Sequence, residues 1–159
     1  MLLSEVKSAK DCVALGGVEH DVQSLTSSLG FLSRAIILAC RERLRSSPGD
    51  LSPAGYELLK LARDNPGMRQ AHAAKFLLIQ DSNLANLAKQ LVNQGFLERK
   101  AAGPSAKRAG LWITEQGGHS LAAFEEFARS VEREITAPLS QAEERALRSC
   151  LGKVYKGFL

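Results

Sequence analysis

The sequence predicts a mainly α-helical protein with one small β-hairpin, and three observations support this class. Apolar residues recur at steps of three and four in several separate segments, as they do along one face of a helix. Proline, glycine and small polar residues separate these segments at the expected helix ends. Two short strand-like stretches, residues 96–100 and 111–114, flank a turn-forming loop. Together these patterns predict a helical frame that carries a single hairpin.

The first two helices are predicted over residues 21–45 and 52–65. Asp21 is the expected N-cap of the first helix, and residues 46–50 end it. Its apolar seam comprises Val22, Leu25, Leu29, Leu32, Ile36 and Ala39. The second helix has Pro53 in its first turn, where a missing N–H costs nothing, and it ends at Asn65 before Pro66 and Gly67.

Two shorter helices are predicted over residues 69–78 and 82–94, the second with Asp81 or Ser82 as its N-cap and Gly95 as its stop. On this fourth helix the inward face contains Leu84, Leu87, Ala88 and Leu91. Helical geometry then places polar side chains on the opposite face, namely Asn83, Asn86, Lys89, Gln90 and Asn93. The loop between the two strands carries Lys107 and Arg108, so the hairpin is basic.

Two further helices follow the hairpin. Thr114 is the predicted cap of a long helix that reaches residue 137, with an apolar seam suited to pairing with another helix. Pro138 ends that helix, and Ser140 and Glu143 form the capping-box pattern of a final helix. The apolar residues that share a face on the final helix are Leu147, Leu151, Val154 and Phe158.

The charge distribution indicates a polyanionic partner. Residues 66–113 contain seven Lys or Arg against two acids, a local net charge of +5, whereas the rest of the chain has fourteen basic and fifteen acidic residues. The whole net charge of +4 therefore comes from this segment. A basic block within a nearly neutral chain is the pattern expected for binding double-stranded DNA.

Other function classes find little support. His20, His72 and His119 are scattered, no phosphate loop is present, and Gly16-Gly17 is interpreted as an isolated pair without a preceding strand. No catalytic residue, metal site or cofactor is predicted, and the protein is not expected to be an enzyme. The three cysteines, Cys12, Cys40 and Cys150, suggest neither a disulfide framework nor a zinc site. With no apolar N-terminal run, we expect a cytoplasmic protein without a membrane partner.

Residues 70–99, QAHAAKFLLIQDSNLANLAKQLVNQGFLER, resemble the helix-turn-helix and first wing strand of the multiple-antibiotic-resistance regulator (MarR) family. The stretch from Leu111 to Gly117, LWITEQG, resembles the second wing strand and the entry into the long helix of that family. One departure is visible in the wing. The family usually carries Asp-x-Arg, whereas this chain has Ala106-Lys107-Arg108, which keeps the arginine and lacks the acid.

The resemblance implies a winged helix-turn-helix over residues 51–114, flanked by a first dimerisation helix over residues 21–50 and C-terminal dimerisation helices over residues 115–159. Residues 1–20 are then an N-terminal extension. A homodimer would place two recognition helices on a pseudo-palindromic operator. The expected DNA contacts are Ser82, Asn83, Asn86, Lys89, Gln90, Arg99, Lys107 and Arg108.

MarR-like proteins commonly bind small aromatic acids, phenols or acyl conjugates. The resemblance therefore implies a repressor that such an effector releases, with Phe31, Arg34 and Tyr56 as an aromatic wall, a cation and a phenol for an aromatic carboxylate. Two alternatives stay open. One is a related regulator that senses oxidants through a cysteine, with Cys12 as the candidate, and the other is a winged-helix module that binds proteins.

Overall fold

The computed structural model describes residues 12–15, 18–21, 23–47, 49–101 and 109–159. The chain divides into two compact units, residues 1–42 and 43–159. Within the described ranges, no helix combines the length and apolar character needed to cross a membrane. The elements of each unit follow from local signals in the sequence, most of them as predicted.

The first unit begins with a hairpin that the sequence reasoning missed. Strand β1 (Cys12–Leu15) pairs antiparallel with β2 (Val18–Asp21), with Leu15 opposite Val18. The interpretation of Gly16-Gly17 as a pair without a preceding strand was wrong, because β1 directly precedes it. Asp21 ends β2, so its assignment as the N-cap of the first helix was also wrong.

The predicted first helix is divided into α1 (Gln23–Thr26) and α2 (Leu29–Leu44). Two adjacent serines explain the break. The Ser27 hydroxyl donates to the Ser24 carbonyl at 3.1 Å, and the Ser28 hydroxyl accepts the Phe31 N–H at 3.3 Å. Such side-chain bonds to the local backbone compete with a continuous helix. Ser28 is thus the N-cap of α2, and Asp21 caps neither helix.

The second unit contains α3 (Pro53–Asp64), α4 (Gln70–Leu77) and α5 (Asp81–Asn93). The predicted start of α3 is confirmed, because Ser52 accepts the Gly55 N–H at 3.1 Å and Pro53 follows it. The predicted cap of α5 was wrong. Gln80 occupies the N-cap position without a side-chain cap bond, and Asp81 is the first residue of the helix. In the first turn a carboxylate still interacts favourably with the helix dipole.

Strands β3 (Leu97–Ala101) and β4 (Ala109–Ile113) form the predicted hairpin, with Arg99 opposite Leu111. The segment before α4 joins this sheet through a bridge between Met68 and Leu111. That approach requires glycine at position 110, since a Cβ atom there would lie 2.1 Å from the Gly67 carbonyl oxygen. The base of the hairpin is therefore fixed to the linker between α3 and α4.

Two long helices complete the chain, α6 (Glu115–Thr136) and α7 (Gln141–Lys156). Thr114 caps α6 as predicted, and Ser140 and Glu143 form the predicted capping box of α7. The N-terminal half of α6 enters the hydrophobic core, where Leu121 and Phe124 are each 1% exposed. The buried core comprises Leu51, Leu58, Leu59, Ala62, Ala73, Ala74, Leu84, Ala88, Leu91, Phe96, Leu97, Leu111, Leu121 and Phe124.

Candidate nucleic-acid interface

The fourth predicted helix, α5, has one buried and one exposed face. Leu84 and Ala88 are fully buried and Leu91 is 1% exposed, so this face is anchored in the core. Burying each leucine contributes about 1.5–3 kcal/mol to stability. A helix fixed in this way presents its opposite face in one defined direction.

The exposed face of α5 holds every site residue that the sequence placed on this helix. The side chains that lie exposed on it are Ser82, Asn83, Asn86, Lys89, Gln90 and Asn93. A side-chain amide both donates and accepts hydrogen bonds, and it can pair bidentately with an adenine edge in the major groove. We call the amide-bearing set Asn83, Asn86, Gln90 and Asn93 the amide face.

The C-terminal ends of α4 and α5 have the same backbone hydrogen-bonding pattern. After α5, the Gly95 N–H donates to the Val92 carbonyl and the Phe96 N–H to the Leu91 carbonyl, at 3.0 and 2.9 Å. Gly95 has a φ of +76°, the left-handed conformation that this motif requires. The sequence prediction that Gly95 ends the helix is confirmed.

After α4 the same pattern occurs with a leucine in the left-handed position. Leu78 has φ 53° and ψ 40°, its N–H donates to the Lys75 carbonyl, and the Ile79 N–H donates to the Ala74 carbonyl. Leucine adopts this conformation at a cost of roughly 1–2 kcal/mol. The turn between α4 and α5 is therefore held by the surrounding structure in spite of the residue at its centre.

The hairpin adds charge beside the helices. Arg99 is exposed on β3, and on the other face of the strand Lys100 forms an ion pair with Glu98. Within the described ranges, no acidic side chain lies at ion-pair distance from Arg99. Lys107 and Arg108, the predicted wing contacts, lie outside the described residues, as does the Ala106 departure.

An open groove of about 320 Å³ lies beside the first turns of α4 and α5 and the start of β4. Arg69 and Gln70 line it, next to Asp81 and Ala109. Sequence reasoning treated Arg69 as one of several basic residues and did not assign Gln70 to the site. The available signal was their position, because the residues that open the first helix of such a motif lie beside the next helix.

The proposed effector residues belong to different units, Phe31 and Arg34 to the first and Tyr56 to the second. In α2 the Arg34 guanidinium carbon lies 5.8 Å from the centre of the Phe31 ring, a cation–π geometry. In the second unit, Tyr56 stacks on Phe124 with ring centres 4.7 Å apart. Lys60 donates to the Tyr56 hydroxyl at 3.4 Å. The ring of Tyr56 thus packs against the core, and its hydroxyl lies beside a cation.

The described cysteines differ in exposure. Cys40 is half-buried in α2, whereas Cys150 is exposed on α7. A free cysteine usually behaves as a small buried hydrophobe, and the exposed Cys150 departs from that pattern. The apolar residues of α7 at neighbouring helical positions are also exposed, so Cys150 lies on a helix with little cover from its own chain.

Comparison with known proteins supports the winged-helix interpretation. No protein-family model matches the chain. A relative from Thauera aromatica, named as a putative transcriptional regulatory protein for the hcr operon, is 28% identical over 136 residues, covering 84% of this chain and 82% of the relative.

Among solved structures, the transcriptional repressor CouR bound to a 23-mer DNA duplex superposes with a TM-score of 0.77 at 25% identity, over 86% of this chain and 99% of CouR. CouR bound to p-coumaroyl-CoA matches with a TM-score of 0.73, over 83% and 94% of the two chains. A MarR-family regulator from Rhodococcus sp. RHA1 matches with a TM-score of 0.73 at 22% identity, over 84% and 97% of the two chains. The chain therefore has the winged-helix fold of MarR-type transcriptional regulators and resembles such regulators over most of its length.

In the fold shared with MarR-type regulators, α4 and α5 correspond to the helix-turn-helix, α5 takes the place of the recognition helix, and β3 and β4 correspond to the wing. The relatives are named as transcriptional regulators.

Proposed function

We propose that this MarR-type regulator represses transcription as a homodimer that binds a pseudo-palindromic DNA duplex. The observation that carries the proposal is the exposed amide face of α5, opposite a face buried in the core. The surrounding segment has a net charge of +5, which favours a phosphate backbone. Amides then supply base reading, and the basic side chains supply most of the affinity.

Exposed apolar residues on α7 support a homodimer. Leu147, Leu151 and Val154 share one face of α7 and are 42%, 52% and 54% exposed. Phe158, which the sequence placed on the same face, lies beyond the end of the helix and is 69% exposed. An apolar face of this kind is stabilised when another protein surface covers it, and a second copy of the chain offers the same face by symmetry. Two recognition helices would then contact half-sites about 10 base pairs apart. Two such half-sites fit within a duplex of the length bound by CouR.

Genomic fragments retained by the purified protein would identify the operator, and a gel shift on that operator tests the DNA proposal. Asn86→Ala should weaken binding by about 1–3 kcal/mol at one base pair of each half-site and relax the preference there. Gln141→Ala removes an exposed amide from α7 and serves as the matched control. Arg108→Ala in the wing should weaken binding to every sequence and flatten the dependence on salt.

A homodimeric repressor should also show a defined stoichiometry, with one dimer bound to each operator. Tight binding by monomers without sequence preference would refute the proposal, and so would wild-type behaviour of both the Asn86 and Arg108 variants.

We further propose that a small aromatic acid or its acyl conjugate releases the repressor. CouR binds p-coumaroyl-CoA, a ligand of this chemistry. In this chain Phe31, Arg34 and Tyr56 are the proposed ligand-binding residues, with Arg34 as the partner of the carboxylate. An effector acts by binding the DNA-free arrangement more tightly than the DNA-bound one.

A DNA-release assay with aromatic acids and their coenzyme A thioesters tests this proposal. Arg34→Ala and Tyr56→Phe should each raise the effector concentration needed for release. Arg41→Ala is the matched control, because it removes another exposed arginine from the same helix. Unchanged release in both variants removes these residues from the effector site. Release by peroxide alone, abolished in Cys12→Ser, would favour the oxidant-sensing alternative.

A further inference from the structure

The last turn of α7 contacts the last turn of α4, just before the turn that leads into α5. The Tyr155 hydroxyl donates a hydrogen bond of 2.6 Å to the backbone carbonyl of Phe76, in the last turn of α4. The end of the chain also borders a cavity of about 360 Å³ beside this turn. The residues that line it are Ala74, Lys75, Leu78, Ile79, Asp81, Phe158 and Leu159.

The Phe76 carbonyl is a group that α4 does not satisfy by itself. The last four carbonyls of a helix have no N–H partner within the helix. At the end of α4, the N–H groups of Leu78 and Ile79 satisfy the carbonyls of Lys75 and Ala74. Tyr155 supplies the donor for the Phe76 carbonyl, so α7 completes the C-terminal cap of α4.

The position of this bond matters because the turn sets the direction of the recognition helix. Residues 78–80 alone separate α4 from α5, and Leu78 stands there in the left-handed conformation. Such a conformation in leucine persists only where neighbouring structure imposes it. A shift of the Phe76 carbonyl therefore moves the start of α5 and with it the amide face.

We propose, given the DNA-binding function proposed above, that Tyr155 is a positioning residue for the recognition helix. Its hydroxyl links the C-terminal end of α4 to α7, the helix that also carries the exposed apolar face of Leu147, Leu151 and Val154. Packing of that face against a second copy thereby fixes the direction in which each amide face points. Movement of α7 is transmitted through this hydrogen bond to the end of α4, and from there to the start of α5.

The test compares Tyr155→Phe with the wild type in the full chain. This change removes the hydroxyl and keeps the ring. Specific operator affinity should fall about 3- to 10-fold, the range that one neutral hydrogen bond supports, while binding to unrelated duplexes and the dimer content stay unchanged. Hydrogen exchange of the amides at residues 78–81 should be faster. Ser149→Ala, which removes another exposed hydroxyl from α7, should match the wild type in every measurement.

The outcomes separate the two proposals. Normal operator binding by the wild type, with unchanged affinity in Tyr155→Phe, overturns the positioning role even if exchange at residues 78–81 becomes faster. Equal loss of specific and unrelated binding also overturns it, because that pattern indicates general damage to the DNA surface. Absence of specific binding in the wild type itself would overturn the proposed function and this role together.

Discussion

Replacing Thr114 with valine should destabilise the junction between the wing and α6 by about 2–4 kcal/mol. The Thr114 hydroxyl donates to the Gly95 carbonyl at 2.6 Å and accepts the Gly117 N–H at 2.9 Å. Loss of an N-cap side chain costs about 0.5–2 kcal/mol, and loss of the second hydrogen bond about 0.5–1.5 kcal/mol. Because Gly117 is buried, its unpaired N–H adds a desolvation cost.

Urea and thermal unfolding at fixed protein concentration measure this effect, since a dimer would link stability to concentration. For a chain of this size the expected decrease in Tm is about 4–16 °C. Thr114→Ser is the matched control, because it keeps the hydroxyl and should stay within about 1 kcal/mol of the wild type. Equal stability of the valine and serine variants would show that the two hydrogen bonds contribute nothing, and the reasoning would be refuted.

Three further predictions concern local backbone and charge. Leu78→Gly should raise the free energy of unfolding by about 0.5–1 kcal/mol in urea, because glycine adopts the left-handed conformation without strain; a loss above 1 kcal/mol would contradict this. Gly110→Ala should destabilise the protein by about 1–3 kcal/mol, because its Cβ atom would meet the Gly67 backbone. Gly118→Ala should stabilise it by about 0.5–1 kcal/mol, because the space around this position in α6 is open. Calorimetry compares the two variants, and equal effects would refute the packing argument. Hydrogen bonds from the side chain and backbone of Ser140 lower the pKa of Glu143, so the capping box should stabilise α7 at neutral pH and lose that effect as acid protonates the carboxylate. Carboxylate titration by NMR should show a higher Glu143 pKa in Ser140→Ala, and an unchanged value would argue against the bond.

The winged core could be predicted because its elements begin and end at strong local signals. Ser52-Pro53, Gly95 and Ser140 each act through bonds to residues at most four positions away, so their effect is readable from sequence. The exposed face of α5 followed in the same way from helical periodicity. The predicted N-caps at Asp21 and at the start of α5 were wrong, because several neighbouring residues can each serve as the cap of a helix.

Contacts between distant residues could not be predicted. The hydrogen bond from Tyr155 to Phe76 joins two elements that are far apart in the chain, and no sequence pattern in either element predicts it. Tyr56 gives a similar case, because its stacking on Phe124 depends on how α6 enters the core. Under the proposed function, which amide of α5 contacts which base depends on the geometry of the DNA, and the local periodicity of the protein sequence does not encode that geometry.

The chemistry of the amide face has an evolutionary consequence. Asn83, Asn86, Gln90 and Asn93 are uncharged, so under the proposed function exchanging one of them changes base preference without altering the number of phosphate charges neutralised. Apart from Lys89, the cations proposed to contact phosphate, among them Arg99, lie on other elements. Such a regulator can acquire a new operator through substitutions of these amides, while its general affinity for duplex DNA and the salt dependence of that affinity stay unchanged.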